Sequence, residues 1–210
     1  MIKVMLVDDH ELVRTGVRRL LSDFEDIDVV AEANSGEEAI KLSETIEPDV
    51  VLMDVNMPGM GGVEATRKLL KTAPGIGVIA VTVHATQPYP SRLLEAGVKG
   101  YITKKCDSDE IATAVRKVFG GEFYFSQQVA QEMAVNFVSD SKSPFDELSQ
   151  REWQIMTMIA RGDKVQDIAD SLCLSPKTVS TYRYRLMEKL NVSTDVELTH
   201  MAIRHGVIDA

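Results

Sequence analysis

Charged side chains follow three apolar runs in the first half of the chain, at the points where buried strands would end. Asp8 and Asp9 follow IKVMLV, Asp54 follows VVLM, and Lys104 follows GYIT. Ligands of open parallel sheets gather beyond the carboxyl ends of the strands, so these groups should meet at one edge. Neighbouring carboxylates raise one another's pKa unless a cation lies among them. We therefore predict a metal ion beside Asp54, with Lys104 balancing the remaining charge; for Asp8 or Asp9 alone, a helix N-cap is the alternative.

The chemistry predicted for this edge is phosphoryl transfer. Oxygen ligands without Cys or His favour Mg²⁺, which keeps several waters and takes only one or two carboxylates. A carboxylate beside Mg²⁺ and an ammonium group can attack phosphorus, because phosphoryl transfer needs little beyond in-line positioning and charge neutralisation. Asp54 would then carry an acyl phosphate, and the Thr82 hydroxyl could donate a hydrogen bond to one of its oxygens. The alternative for Thr82 is an ordinary β-branched strand residue.

Alternating strand-like and helix-like segments position these groups within residues 1–120. Short runs rich in Val and Ile predict strands at 2–7, 28–33, 49–53, 77–82 and 99–103. Helical periodicity lies between and after them, at 11–23, 36–46, 63–72, 88–96 and 108–118. Strands that are apolar on both faces belong to a parallel sheet covered by helices on both sides. The predicted fold of this domain is therefore α/β, a doubly wound five-stranded parallel sheet.

A linker separates this domain from an all-helical one. Residues 121–145 combine glycines and a polar stretch around one short helix, which predicts a linker. Residues 146–210 have helical patterns at 150–160, 165–172, 176–190 and 195–205. Ser149 and Glu152 have capping-box spacing, and Ser175 precedes Pro176 as an N-cap precedes a proline at the first helical position. The second domain is therefore predicted to be all-α with four helices.

Charge is distributed unevenly, and one segment suits nucleic acid. The whole chain has a net charge of −9 and a pI near 5.0, which argues against phosphate binding by the average surface. Residues 175–190 instead carry four basic side chains against one acidic side chain, a local charge of +3. Their polar stripe contains Lys177, Thr181, Tyr184 and Glu188, flanked by Ser180 and Arg185. A helix in a major groove needs such hydrogen-bonding groups, and a solvated helix face is the alternative.

The composition also indicates the cellular compartment in which the protein is expected. No apolar stretch approaches the roughly 18 residues that span a bilayer, and the start of the chain has no cleavage pattern of a signal peptide. Cys106 and Cys173 are isolated, with no spacing typical of a metal site or a disulfide framework. We expect a cytoplasmic protein with no membrane partner.

The motifs of the first domain resemble a known family. VDDH at 7–10, LMDVNMPGMGG at 52–62, Thr82, and GYITK at 100–104 are similar to the receiver domain of two-component response regulators. The resemblance covers residues 1–118 and implies a sheet of strand order 2-1-3-4-5, with Asp54 as phosphoacceptor. It implies that Asp9, Asp54 and the Asn56 backbone carbonyl bind Mg²⁺, with Asp8 in support. Thr82 and Tyr101 match the family's switch pair, in which the hydroxyl moves toward the phosphate and the ring turns inward; half-exposed packing is the alternative for Tyr101.

The second domain resembles the LuxR/NarL-type helix-turn-helix over residues 147–192. The resemblance implies that 165–172 is the supporting helix and 176–190 the recognition helix. It implies base-edge contacts by Ser180, Thr181 and Tyr184. It further implies DNA contacts, mainly to phosphates, by Lys177, Thr178, Arg183, Arg185 and Lys189. For Arg183, packing of its stem within the domain is the alternative.

The two resemblances together identify the chain as similar to NarL/LuxR-type (FixJ) response regulators. SPKTVSTYRYRLMEKLNV at 175–192 and DVELTHMAIRHGVI at 195–208 resemble the GacA/UvrY/SirA/VarA branch more closely still. That branch implies a hybrid sensor histidine kinase with a phosphotransfer domain as donor. It also implies homodimers on double-stranded promoter DNA that activate genes for small regulatory RNAs. We expect residues 195–206 to form the dimer contact of the DNA-binding domain.

Two other classes of protein stay open at this point. A Mg²⁺-dependent phosphatase with an aspartyl nucleophile would carry a second acid two residues after it, where Asn56 stands. We therefore expect a phosphorylated regulator and no turnover enzyme. A receiver whose helical tail binds protein would have no salt-dependent affinity for DNA.

Overall fold

The computed structural model describes residues 1–82, 89–131, 144–145, 147–172, 174–205 and 207–208. They form two compact units, one built on a sheet and one built of helices. Among the described helices, none is long and apolar enough to cross a membrane. Cys106 is a free thiol, while Cys173 and His84 lie outside the described residues.

The first unit alternates strands and helices, and every strand pairing in it is parallel. Its elements are β1 (Ile2–Val7), α1 (Glu11–Leu21), β2 (Ile27–Ala33), α2 (Gly36–Ile46), β3 (Val50–Asp54), α3 (Gly61–Thr72), β4 (Gly77–Thr82), α4 (Tyr89–Ala96), β5 (Gly100–Thr103), α5 (Ser108–Phe119) and β6 (Tyr124–Phe125). The strand order is β2-β1-β3-β4-β5-β6. The predicted parallel α/β fold and its order 2-1-3-4-5 are therefore confirmed.

The predicted count of five strands is wrong, because the sheet has a sixth strand within the predicted linker. Gly100 and Tyr101 of β5 pair with Tyr124 and Phe125 of β6. The Tyr124 N–H donates to the Lys99 carbonyl at 2.9 Å. A strand of two residues is too short to have a hydrophobic period, and the preceding glycines indicated a loop. Residues 127–131 are helical, and the rest of the predicted linker up to residue 143 lies outside the described residues.

Strand β3 is buried along its whole length, which explains why it can carry a carboxylate to the sheet edge. Val50, Val51, Leu52 and Met53 are all buried, with β1 and β4 on either side. Helices α1 and α5 contribute to one hydrophobic core with β1, β3, β4 and β5. Because the strand is enclosed, its last residue, Asp54, has little freedom to move.

The second unit consists of α6 (Gln150–Ala160), α7 (Val165–Ser171), α8 (Pro176–Leu190) and α9 (Asp195–Arg204). Ser149 and Glu152 form the predicted capping box, since each side chain accepts a hydrogen bond from the other's backbone N–H. Ser175 caps α8 by accepting from the Thr178 N–H, with Pro176 at the first position. The caps set where α6 and α8 begin.

Phe145 shows that the helical unit starts earlier than predicted. Its side chain is fully buried and lies edge-on to Trp153 and His205, with ring centroids 5.7 and 5.4 Å away. Such edge-to-face pairs add to the stabilisation from apolar burial. Phe145 is the last residue of the predicted linker, but its side chain belongs to the core of this unit. We therefore place the start of the unit before residue 146.

Candidate functional sites

An ion-pair cluster lies at the carboxyl edge of the sheet, where β1, β3 and β5 end. The Lys104 Nζ lies 2.6 Å from Asp8 Oδ2 and 2.9 Å from Asp54 Oδ2. The Asp54 side chain is only 2% exposed, and the Lys104 backbone N–H donates to the Thr82 carbonyl. Asp8, Asp54 and Lys104 therefore lie together as predicted, and Lys104 forms an ion pair with each of the two acids.

Burial and charge act together on the pKa values of this cluster. Burial, followed by repulsion from Asp8, raises the pKa of Asp54 above its usual range, although Lys104 acts to lower it. Burial by itself would lower the pKa of Lys104, but attraction to Asp54 and hydrogen bonds to Asp8 and Asp54 outweigh it and raise that pKa. Lys104 is therefore a cation that the two carboxylates keep charged.

The carboxylates lie close enough together to hold a divalent cation. Donor atoms of Asp8, Asp9, His10 and Asp54 all lie within 4.8 Å of one another. Asp9 Oδ1 is buried and has no hydrogen-bond partner within the described part of the chain. Its near polar neighbour on an adjacent residue is the His10 ring, 3.0 Å away, and a bound cation would compensate the charge of this buried oxygen. Because three of the four residues offer hard oxygen ligands, the donor set fits Mg²⁺.

His10 is the member of this cluster that the sequence analysis left without a role. Its Nδ1 lies 3.2 Å from Asp8 Oδ1 and 3.0 Å from Asp9 Oδ1, while the ring is exposed. Its backbone N–H donates to Asp8 Oδ1 at 2.9 Å. No second histidine or cysteine lies at ligand spacing from His10, so the sequence did not predict a role for it in a metal site. Its contacts with Asp8 and Asp9 are visible only in the folded turn.

The turn after β3 holds the Asp54 carboxylate from a second side. The Asn56 N–H donates to Asp54 Oδ1 at 3.0 Å, and the Gly62 N–H donates to the Val55 carbonyl. A Cβ on Gly62 would overlap the Asp54 carbonyl oxygen and lie 2.8 Å from the Val55 Cα. Glycine at 62 therefore allows α3 to begin directly against the end of β3. Metal binding by the Asn56 carbonyl stays a prediction.

A contact from α2 to this turn escaped the sequence analysis. Glu37 accepts a hydrogen bond from the Met60 N–H at 3.2 Å. The contact spans 23 residues along the chain. Local sequence patterns extend over only a few residues, so they could not predict this hydrogen bond.

Thr82 and Tyr101 are both enclosed in the sheet unit. Thr82 is fully buried at the end of β4, and Tyr101 is 1% exposed on β5, in register with Ala80. Half-exposed packing of Tyr101 is therefore wrong, and its ring is directed inward. The coupled motion of the two residues stays a prediction, since residues 83–88 between them lie outside the described chain.

Helix α8 has one buried face and one exposed polar face, as the periodicity predicted. Its buried face holds Val179, Leu186 and Leu190, whereas Tyr184 is 70% exposed. The other exposed candidates on α8 are Lys177, Ser180, Thr181, Arg185 and Lys189, whereas Thr178 and Arg183 are half-buried. The candidate DNA-contacting residues thus share a face that is open to a partner.

Two of the predicted DNA-contacting cations on α8 have partners inside the helical unit. Arg183 donates two hydrogen bonds to the Asp195 carboxylate of α9, at 2.8 and 2.9 Å. The Lys189 Nζ lies 2.7 Å from Glu152 Oε2, an acid buried at the start of α6. Both ion pairs join residues far apart in the sequence, and they link α8 to α9 and to α6.

These features define a class of protein: a carboxylate-rich site on a doubly wound sheet, followed by a helical unit with an exposed polar helix. The response regulator receiver domain matches residues 4–116, and the luxR family of bacterial regulatory proteins matches residues 146–202. The chain belongs to the response regulators that join a receiver domain to a luxR-type DNA-binding domain. This architecture is that of a regulator rather than of an enzyme.

Relatives match along the full chain. Response regulator GacA of Pseudomonas aeruginosa is 55% identical, with 100% of this chain and 99% of GacA covered. Response regulator UvrY of Escherichia coli K12 is 50% identical, over 100% of this chain and 97% of UvrY. The solved structure of RcsB from Salmonella enterica serovar Typhimurium, bound to promoter rprA with the phosphomimetic BeF₃⁻, has a TM-score of 0.74. It covers 96% of this chain and 98% of RcsB, and at 23% identity it supports the fold alone.

Proposed function

We propose that the protein is a transcription factor in which phosphorylation of Asp54 controls DNA binding by α8. The observation that carries the proposal is the Lys104 Nζ within 3 Å of both Asp8 and Asp54, with the Asp9 carboxylate in the same cluster. A buried acid next to an ammonium group and a cation site can accept a phosphoryl group at little cost in charge. A purely structural ion pair would not need the third carboxylate.

Each group at the site has a distinct part in the proposed reaction. An Asp54 carboxylate oxygen attacks phosphorus, the bond between phosphorus and the donor's leaving group breaks, and the leaving group departs with its electron pair. Mg²⁺, when bound, neutralises charge on the phosphoryl oxygens. Asp9, Asp54 and the Asn56 carbonyl would hold the ion, and Asp8 would support it. Lys104 balances the added charge, and the buried Thr82 hydroxyl and Tyr101 ring would respond to the acyl phosphate.

We propose that α8 contacts promoter DNA through its exposed face. Ser180, Thr181 and Tyr184 would contact base edges, whereas Lys177, Thr178 and Arg185 would contact phosphates. The RcsB structure with promoter rprA gives a precedent for DNA binding in a protein of this fold. Residues 195–206 would join two copies as a homodimer on DNA.

We propose a structural role for Arg183 and Lys189 in place of direct DNA contact. The carboxylates of Asp195 and Glu152 already bind these side chains within the helical unit. Ion pairs of this kind can set the angle at which α8 meets a groove. Phosphate contact by either cation would compete with its carboxylate partner within the unit.

The similarity to GacA and UvrY supports further proposals on partners. The donor would be a hybrid sensor histidine kinase with a phosphotransfer domain, and the targets would be genes of small regulatory RNAs. These proposals rest on the resemblance and on no contact within the described residues.

The test compares the full chain with its Asp54→Asn variant, with and without a small acyl phosphate and Mg²⁺. We expect wild type to gain one phosphoryl group by intact mass and to bind selected promoter fragments more tightly as a dimer. The variant should do neither. Equal DNA binding by treated wild type and Asp54→Asn would contradict the switch. Steady turnover of phosphomonoesters would instead favour an aspartyl phosphatase.

A further inference from the structure

Arg14 is a largely buried cation beside the carboxylate cluster that no part of the proposed reaction uses. It lies on α1, and its side chain is 15% exposed. Its Nη1 donates a hydrogen bond of 2.6 Å to the backbone carbonyl of Asp8. Arginine is seldom buried unless it is paired, so its partners indicate what it does.

The Asp8 carbonyl needs a partner because of where β1 ends. The strand's last residue is Val7, so the Asp8 carbonyl lies beyond the β1 ladder. The other polar groups of Asp8 are engaged: its N–H donates to Ala33, Oδ1 accepts from the His10 N–H, and Oδ2 pairs with Lys104. Buried carbonyls without partners are costly, and the Arg14 guanidinium supplies a charge-assisted hydrogen bond.

This hydrogen bond acts on the peptide that leads into Asp9. The Asp8 carbonyl belongs to the planar peptide unit that ends at the Asp9 Cα, so a fixed carbonyl fixes the point from which the Asp9 side chain departs. Asp9 Oδ1 is a buried oxygen that accepts no hydrogen bond from the described residues, with the His10 ring 3.0 Å away. The position of that oxygen therefore depends on the main chain that Arg14 holds.

Glu32 on β2 holds Arg14 in turn. The Arg14 Nε lies 3.5 Å from Glu32 Oε2, beyond a hydrogen bond but within range of strong attraction. Glu32 also accepts a hydrogen bond of 2.7 Å from Arg18 Nη1. Arg18 is one turn further along α1 and its side chain is 59% exposed. The two arginines share one acid, but the hydrogen bond to Asp8 comes from Arg14.

We propose that Arg14 is a positioning residue of the Mg²⁺ site, which holds the Asp8–Asp9 peptide so that both carboxylates meet the cation. The inference rests on the proposed Mg²⁺-dependent phosphorylation of Asp54. Loss of groups that orient metal ligands costs about 10- to 100-fold in metal affinity, and Arg14→Gln should lie at the lower end of that range. The phosphorylation rate at saturating Mg²⁺ should change less than about twofold, because Arg14 bonds to the Asp8 main chain rather than to Asp54.

The experiment uses the full chain and Mg²⁺ itself as the probe. Calorimetry gives the Mg²⁺ dissociation constant, and a small acyl phosphate gives the phosphorylation rate as a function of Mg²⁺ concentration. Arg14→Gln should raise both the dissociation constant and the half-saturating concentration about tenfold. Arg18→Gln is the matched control and should leave both within about twofold, since it removes a Glu32 partner without touching Asp8.

Three outcomes decide between the possibilities. Unchanged Mg²⁺ affinity in Arg14→Gln, or equal losses in Arg14→Gln and Arg18→Gln, would overturn the positioning role. If wild type itself neither binds Mg²⁺ nor gains a phosphoryl group, the proposed function fails, and the positioning role that rests on it is overturned as well. Should Arg14→Gln lose its cooperative melting transition, Glu32→Gln replaces it, with an expected two- to threefold weakening; no weakening would overturn the role.

Discussion

The sheet edge and helix α8 use cations in opposite ways. At the sheet edge, Lys104 is enclosed between Asp8 and Asp54, and its charge serves the site where it lies. On α8, Arg183 and Lys189 form ion pairs with Asp195 and Glu152, although their side chains are 38% and 40% exposed. The cations that stay exposed on α8 include Lys177 and Arg185. The role of a basic residue therefore depends on which acids the fold brings to it, and substitutions in the two regions test that contrast.

The largest effect is expected from Lys104→Met. The variant leaves Asp8 and Asp54 without their shared cation, so the charge that develops during phosphoryl transfer loses a preorganised partner. We expect phosphorylation by a small acyl phosphate to slow about 100-fold or more at saturating Mg²⁺. Intact mass against time measures the rate. Lys105→Met, at the exposed neighbouring position, is the control, and an equal slowing there would remove the distinction between the two lysines.

Gly62→Ala tests the close approach of α3 to the phosphoacceptor strand. The added Cβ would overlap the Asp54 carbonyl oxygen, so the backbone must shift. We expect the free energy of unfolding of the receiver to fall by about 2 kcal/mol. Gly16→Ala on α1 is the matched control, because a Cβ there meets nothing within 4 Å. It should stabilise by up to about 1 kcal/mol, and chemical denaturation followed by circular dichroism would show whether the two variants differ in sign.

Lys189→Met and Lys177→Met should differ in how they change the salt dependence of DNA binding. Each phosphate contact contributes about 0.9 to the slope of log affinity against log salt concentration. Lys177→Met should lower that slope by about this amount, whereas Lys189→Met should weaken binding with the slope retained. Fluorescence anisotropy at several salt concentrations measures both. A reduced slope in Lys189→Met would return that residue to the phosphate-contacting set.

The smallest effect concerns pH and Glu152. Burial acts to raise the pKa of Glu152, but hydrogen bonds from Lys189 and Ser149 outweigh it and hold the pKa below its usual value of 4.5. The stabilisation from this acid is therefore present above about pH 4.5, and it is lost as the pH falls through the lower folded-state pKa. Glu152→Gln should remove about 1 kcal/mol at neutral pH and flatten the acid limb of the stability curve.

Trp153 makes this last measurement specific to the helical unit. It is the single tryptophan of the chain, and its buried ring contacts Phe145. Its fluorescence therefore reports unfolding of that unit. An acid limb that keeps its full slope in Glu152→Gln would show that Lys189 is held by something other than this carboxylate.

The sheet edge was largely predictable because the ends of buried strands can be recognised in the sequence. Apolar runs locate β1, β3 and β5, and the residue after each run must emerge at the same edge of a parallel sheet. That rule alone brought Asp8, Asp54 and Lys104 together, and the fold agrees. The two-residue strand β6 had no such signal, because no period can be counted over two residues.

Contacts between distant elements were beyond prediction for a different reason. The pairs Arg183–Asp195 and Lys189–Glu152 depend on how α8 packs against α9 and α6, and helical periodicity gives a face without naming what lies opposite it. Phe145 looked like part of a linker because its burial depends on Trp153 and His205, which follow it in the chain.

The sequence by itself determined the two domain classes, the strand order of the receiver and the carboxylate edge with its lysine. The domain classes and the carboxylate edge follow from local periodicity and from the rule that parallel strands end together, whereas the strand order is what the resemblance to receiver domains implies. Only the tertiary structure decided which acids take up Arg183 and Lys189, and that Arg14 holds the Asp8 carbonyl while Glu32 holds Arg14. These partners depend on distances of a few ångströms between helices and strands that are far apart in the chain. Local sequence spacing does not determine those distances.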